Sequence, residues 1–225
     1  GINRFFIPAI DSSYTEAMYT LEKEYPKNVF LMMGLHPTSV NENYEEELTH
    51  VAEQFKNRSF YAVGEIGIDL YWDKSTLGIQ KIAFKRQIQL AKKHKLPIVI
   101  HCRDAFDEIF EVLETEKSDD LFGIFHCFTG TFEQAQRAIS FNMKLGIGGV
   151  VTFKNGKIDT FLKQIPLKHI VLETDSPYLA PAPYRGKRNE SSYLAIVCKK
   201  LSEIYHVSEE EIARVTTENS KDIFK

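Results

Sequence analysis

The sequence predicts an α/β protein of the TIM-type (β/α) barrel class, on three observations. Short apolar runs alternate along the chain with amphipathic stretches of helical spacing, and strict βα alternation implies parallel strands. The runs are continuously apolar, as strands covered on both faces are. The 225 residues, 43% of them hydrophobic, suffice for one sizeable core and lie near the usual size of a single barrel of this type. No repeat, low-complexity segment or linker interrupts the pattern, so residues 1–225 are expected to form one domain.

The elements follow in order. The apolar runs at residues 4–9 (RFFIPA), 29–34 (VFLMMG), 60–66 (FYAVGEI), 97–101 (PIVIH), 122–126 (FGIFH), 144–148 (KLGIG) and 170–174 (IVLET) are short, often β-branched and bounded by Gly, Pro or Asp, and they read as buried strands. A helix is predicted over 12–24, capped by Ser12 or Ser13. Another is predicted over 78–95, where Ile79, Ile82, Ala83, Ile88, Leu90 and Ala91 recur mostly at helical spacing. Residues 104–115, 131–141, 156–164 and 191–205 follow the same logic. A last helix starts at Ser208, with Glu211 in the capping-box position. The count is seven strands, where a closed barrel needs eight.

Composition excludes several classes. A net charge of −3 with 26% charged residues is neither a disordered nor an obviously nucleic-acid-binding composition. Any attraction for nucleic acid must therefore come from a local basic patch or from bound cations. Cys102, Cys127 and Cys198 form no disulfide framework and fit a reducing compartment. No apolar run approaches the roughly 18 residues of a membrane span, and the start Gly1-Ile2-Asn3-Arg4 is unlike a signal peptide. The expectation is a cytoplasmic protein with no membrane contact and no obligate protein partner.

Chemistry-bearing residues collect where apolar strands stop: His36 after the second run, Glu65 and Asp69 at the third, His101 and Arg103 at the fourth, His126 at the fifth, Glu173 and Asp175 at the seventh. In a barrel the C-terminal strand ends meet on the face that carries the active site. Imidazole nitrogens and carboxylate oxygens are ligands for divalent ions such as zinc or manganese, so Glu65, His101, His126 and Asp175 are the expected metal ligands. Asp69 and Glu173 are expected to support them from behind; Glu173 lies two residues before Asp175 and shares its face of the strand. His36, beside Pro37, either contacts substrate or packs. Cys102 and Cys127 each follow a strand-end His and point the other way, into packing. His50, His94, His169 and His206 fall in helices or turns and are expected to be structural.

The motifs resemble, in order, those of the TatD family of deoxyribonucleases: Gly34-Leu35-His36-Pro37, Gly64-Glu65-Ile66-Gly67-Ile68-Asp69, His101-Cys102-Arg103-Asp104-Ala105, His126-Cys127-Phe128-Thr129-Gly130, Glu173-Thr174-Asp175-Ser176-Pro177, the basic loop Arg185-Gly186-Lys187-Arg188-Asn189-Glu190, and Thr217-Glu218-Asn219. The resemblance implies a TIM-type barrel of the metal-dependent hydrolase superfamily holding one or two divalent cations (zinc, magnesium or manganese). It implies Glu65 as an acid shared between two metals, His101 and His126 as ligands of one, and Asp175 as a ligand of the other. Family members open with a strand bearing a His-x-His pair, then a helix. This sequence contains no His-x-His and starts where the second strand would, so the first strand–helix unit is expected to be missing, leaving an open seam and one metal site short of two ligands.

A bound cation lowers the pKa of its water to about 7, and two cations clamp the oxygens of an in-line phosphoryl displacement. That chemistry suits hydrolysis of DNA phosphodiesters, with Asp175 and Glu65 as catalytic carboxylates and single-stranded ends as the expected substrate. Arg185, Lys187 and Arg188, directly after Asp175, and Arg103 after His101, are phosphate-binding candidates; the alternative for the loop is solvated surface. Tyr71, Trp72 and Tyr178 either stack on bases or pack within loops. Hydrolysis of C–N or carboxylic ester bonds, and a non-catalytic barrel, are the competing readings.

Overall fold

Each predicted strand forms, and every strand pair in register runs parallel, in a computed structural model that describes residues 2–225. Seven strands lie among the described residues. The chain divides into two compact units, Asn3–Gly123 and Ile124–Lys225.

In the first unit, β1 (Phe5–Ile7) pairs with β2 (Val29–Leu31). Met33 then bridges Val63 at the start of β3 (Val63–Asp69), which pairs with β4 (Ile98–Arg103). The register shifts between Val63 and Ile66, and a bulge of this kind re-aims a side chain; the residues in the shift are Gly64 and Glu65. Ala9 N–H donates to Gly64 O and Glu65 N–H to Ala9 O, both at 3.2 Å, so β1's continuation also holds this point. Gly67 has φ +144°, and a Cβ there would stand 2.0 Å from His101 O. No other residue lets β3 lie this close to β4.

The helices of this unit are α1 (Thr15–Glu24), α2 (Tyr44–Asn57), α3 (Leu77–His94) and α4 (Phe106–Thr115). The cap expected at Ser12 or Ser13 is instead Asp11, whose carboxylate accepts from Ser13 N–H and opens a 3-10 turn, Ser12–Tyr14, ahead of α1. A carboxylate with two oxygens reaches both Ser13 and Ser39, which a serine hydroxyl cannot. α3 buries Gln80 and Gln87 among Ala83, Phe84, Ile88 and Ala91.

In the second unit, β5 (Gly123–Phe125) is followed by α5 (Phe132–Ser140), which starts on a full capping box between Thr131 and Gln134. β6 (Met143–Ile147) pairs with β7 (Ile170–Leu172). The helix expected over 156–164 is replaced by two 3-10 turns, Ile158–Thr160 and Leu162–Gln164. Hydrogen bonds to the third residue back, Thr160 to Lys157 and Gln164 to Phe161, take the place of an α-helical ladder, and Tyr205 Oη holds the carbonyls of Leu162 and Ile165 at 2.8 and 2.9 Å. α6 (Leu194–Tyr205) and α7 (Glu209–Ile223) close the chain. Ser208 caps α7 as expected, but Glu211 pairs with Arg214 in place of closing the box.

Candidate functional site

The first unit brings four strand-end residues together. His101, on β4, has Nε2 2.8 Å from Asp69 Oδ2 and Nδ1 3.0 Å from Glu65 Oε1. His36 places Nε2 3.1 Å from His101 Nδ1 and 3.7 Å from Glu65 Oε1. Asp69 and Glu65 are 2% and 6% exposed, so both carboxylates need these partners.

Asp69 is held on every side. Its Oδ1 accepts from the N–H of Tyr71 at 3.0 Å and of Trp72 at 3.4 Å. Gln80 of α3 clamps its backbone, accepting from Asp69 N–H at 2.8 Å and donating to Asp69 O at 3.1 Å. Gln87, two turns further along α3, clamps Leu35, next to His36, in the same way at 2.7 and 3.2 Å. A buried amide side chain that satisfies a backbone N–H and C=O together fixes the strand end it grips.

The protonation of each ring follows from its partners. His36 Nδ1 accepts from Thr38 N–H at 3.2 Å and lies 2.7 Å from Thr38 Oγ1. The neutral His36 ring therefore carries its proton on Nε2 and presents an N–H to the cluster. His101 faces carboxylates from both nitrogens. Burial alone pulls its pKa down, but the hydrogen bonds and charges of Asp69 and Glu65 outweigh that and raise it above the ordinary value. Asp69 goes the other way: burial raises it, and His101 with the Tyr71 and Trp72 N–H groups brings it below the usual carboxylate range.

The second unit repeats the arrangement. His126, directly after β5, has Nδ1 2.6 Å from Glu173 Oε2 and Nε2 3.1 Å from Asp175 Oδ1. Both Glu173 carboxylate oxygens are buried without a hydrogen-bond partner among the described residues, so the His126 Nδ1 approach is a charge contact only, and Oε1 lies against Gly148, where a Cβ would sit 1.9 Å away. Asp175 has φ 51°, a left-handed conformation that Asp tolerates better than most residues. Asn189, 2% exposed, ties its loop: Nδ2 donates to the carbonyls of Thr174 and, at 2.7 Å, Tyr178.

Each histidine thus rests one nitrogen on a buried carboxylate and turns the other toward a second carboxylate 3.0 or 3.1 Å away. Ligand atoms about 2.1 Å from a common cation lie roughly 3.0–3.4 Å apart, so both facing pairs fit one. In His101 the hydrogen bond of Nε2 to Asp69 holds the tautomer that frees Nδ1 for a metal. His36 Nε2 lies within ligand distance of Glu65 and His101, but the proton that Thr38 directs there makes it a donor. Burial pushes the Cys102 thiol up to about 12.

The cationic candidates are braced by aromatic rings. The Arg103 guanidinium lies 3.7 Å from the Tyr71 ring centre, and that of Arg185 3.9 Å from Phe153. Lys187 Nζ is 5.8 Å from the Tyr184 ring. A guanidinium stacked by its face keeps its N–H edge available for phosphate. Of the residues expected to be structural, His50 bonds Thr15 Oγ1 at 2.9 Å and His94 lies against Phe55. Gln80, Gln87 and Asn189 are not singled out by strand-end position. Their signal is a polar side chain within an apolar face or a loop motif.

A parallel α/β fold whose strand ends carry imidazole–carboxylate pairs defines the class of metal-dependent barrel hydrolases. The family model of TatD-related DNases matches residues 1–225. The chain is 41% identical to the uncharacterized metal-dependent hydrolase YabD of Bacillus subtilis, covering 100% of this chain and 88% of the relative. It is 34% identical to the uncharacterized metal-dependent hydrolase YcfH of Escherichia coli, covering 88% and 74%. Among solved structures, the TatD homolog YJJV of E. coli superposes with a TM-score of 0.93 at 27% identity, covering 100% and 87%. The chain belongs to the TatD-related family of metal-dependent hydrolases, and its fold is of the TIM-type barrel class. No helix among the described residues is long and apolar enough to cross a membrane.

Proposed function

We propose that the protein hydrolyses phosphodiester bonds of DNA, removing nucleotides from single-stranded ends with one or two divalent cations. The observation that carries this reading is the repeated pair: His101 facing Glu65 and His126 facing Asp175, each imidazole backed by a buried carboxylate. Glu65, His101, His126 and Asp175 would hold the cations. A bound cation supplies Lewis acidity and water of lowered pKa. Asp175 Oδ2, without a hydrogen bond among the described residues, accepts the proton of the attacking water. The His36 Nε2–H and the free edge of Arg103 donate to phosphoryl oxygens, and Arg185, Lys187 and Arg188 bind the phosphates of the strand. The family description, with Arg185, Lys187 and Arg188 of this chain, favours phosphate over a neutral ester or amide.

The test is a parallel assay of the purified protein with Mn²⁺, Mg²⁺ or Zn²⁺. The substrates are end-labelled single- and double-stranded DNA, a p-nitrophenyl carboxylic ester and a cyclic amide. Progressive shortening of single strands, abolished by chelator and by His101→Ala or Asp175→Ala, is the expected result. Turnover of the ester or amide with intact DNA would overturn the reading.

A further inference from the structure

Trp72 is the one tryptophan in the chain, and it is 72% exposed. Tyr71 beside it is 54% exposed, and the two rings meet edge to face at 4.9 Å. Exposure of two adjacent large aromatics forfeits burial that folding would otherwise gain, yet this loop is not loosely held. Asp69 Oδ1 accepts from both backbone N–H groups, Arg103 lies over both rings at 3.7 and 5.6 Å, and Asp73 Oδ1 caps the next turn through Ser75. The same Asp69 carries His101 on its other oxygen. One carboxylate therefore fixes both the aromatic loop and the candidate metal ligand, in register with each other.

Between this loop and the one after His36 lies a cavity of about 140 Å³ lined by Pro37, Val40, Asn41, Asp69, Trp72 and Asp73, among others. A cavity of roughly 150 Å³ holds a benzene ring, so the space takes one planar ring. Its charged lining is two carboxylates, Asp69 and Asp73, which repel phosphate. Asp73 is held below the usual carboxylate range by the Ser75 hydroxyl and N–H, so it stays ionised. Trp72, Pro37 and Val40 give the lining an aromatic and apolar part for a flat uncharged group, while Arg103, which is not in the lining, lies over the Trp72 ring.

Resting on the phosphodiesterase reading above, we infer that the Pro37–Asp73 cavity is a nucleobase subsite. Trp72 stacks on the base next to the scissile phosphate, Arg103 takes that nucleotide's phosphate, and Asp69 holds this platform in register with His101. Stacking on an aromatic side chain is tolerant of base identity, and the one-ring size of the cavity favours a pyrimidine over a purine. It sets a requirement for a base at that position.

Two arms test this separately from the activity. In the first, the emission of Trp72 is followed during titration with a phosphorothioate single strand, and with the same strand carrying abasic sugars. Quenching by the first and not the second is expected. Unchanged emission with a strand that binds, or equal quenching by both, overturns the subsite. In the second, Trp72→Ala raises KM for a single strand about tenfold, the loss of roughly 1.4 kcal/mol of stacking. Trp72→Phe keeps most of the affinity, and an abasic substrate shows no further loss on Trp72→Ala. A strand hydrolysed with equal KM by wild type and Trp72→Ala refutes the subsite and leaves the nuclease reading standing. Base-dependent quenching without hydrolysis supports the subsite and sinks the nuclease reading.

Discussion

Asp69→Asn isolates one hydrogen bond at the centre of the first cluster. Asn is the same shape, and its Oδ1 can go on accepting from the Tyr71 and Trp72 N–H groups at 3.0 and 3.4 Å. The Gln80 clamp touches only the backbone of residue 69 and is unaffected. What changes is the other end: an amide NH₂ replaces Oδ2, 2.8 Å from His101 Nε2. Two donors then face each other, and the ring avoids this by moving its proton to Nδ1, where Glu65 accepts it at 3.0 Å and the His36 Nε2–H, 3.1 Å away, must turn aside. A protonated Nδ1 has no lone pair for a cation. Loss of a carboxylate behind a ligating imidazole costs about 10–100-fold in metal affinity, or roughly 1.4–2.8 kcal/mol. Calorimetric titration of Mn²⁺ or Zn²⁺ into both proteins measures it, with Trp72 emission reporting that the loop has stayed in place. Asp69→Ala removes all three acceptor contacts, so it should lose at least as much affinity and also shift the emission. Cation affinity of Asp69→Asn within about twofold of wild type would refute the role given to Asp69.

Cation affinity should also depend on pH with a definite sign. The His101 pKa lies above its ordinary 6.5, and a cation must displace that proton. Affinity therefore falls as pH drops through a value above 6.5, where an unpaired imidazole would lose it lower; titrations from alkaline pH downward that stay flat to 6.5 would contradict this. Replacing Arg185, Lys187 and Arg188 together with Ala should raise KM for single strands at unchanged cation affinity. The salt dependence should flatten by about 0.7 in slope for each phosphate that the loop no longer neutralises; an unchanged slope assigns the loop to solvated surface. Gly148→Ala puts a Cβ 1.9 Å from Glu173 Oε1. Such overpacking costs about 1–3 kcal/mol, so a lowered melting temperature and weaker cation binding are expected together, and a variant unchanged in both would show that Glu173 has room to move.

What is legible in the sequence divides by physical cause. The strands stand out because a strand covered on both faces must be apolar throughout, and each carries its polar residue where that cover ends. His101, His126 and the carboxylates of β3 and after β7 are visible for that reason alone. The helix α2 has a weaker signature: Leu48, Val51 and Phe55 form its buried stripe behind the acidic first turn Glu45, Glu46 and Glu47, three apolar positions among many charges. The stretch 156–164 misleads the other way. Its apolar residues recur at helical spacing, but Gly156 and the short Ile158–Thr160 and Leu162–Gln164 turns are held from outside by Tyr205, a partner 40 residues or more away in sequence that no local pattern contains.

The clamps and the tautomers sit between these cases. Gln80 and Gln87 are seven residues apart on a face otherwise made of Ala83, Phe84, Ile88 and Ala91. A buried amide without partners costs free energy, so two of them on one apolar stripe imply two backbone segments that need holding, and α3 does grip the segments beside His36 and at Asp69. That inference is available from sequence once the face is drawn. The proton on His36 is not, because it depends on Thr38 N–H turning back onto Nδ1 in the 3-10 turn Pro37–Ser39. Strand-end position therefore identifies which imidazoles reach the site. The hydrogen bond on the far nitrogen separates an imidazole with a lone pair free for a cation, His101 on Asp69, from one that presents a donor, His36.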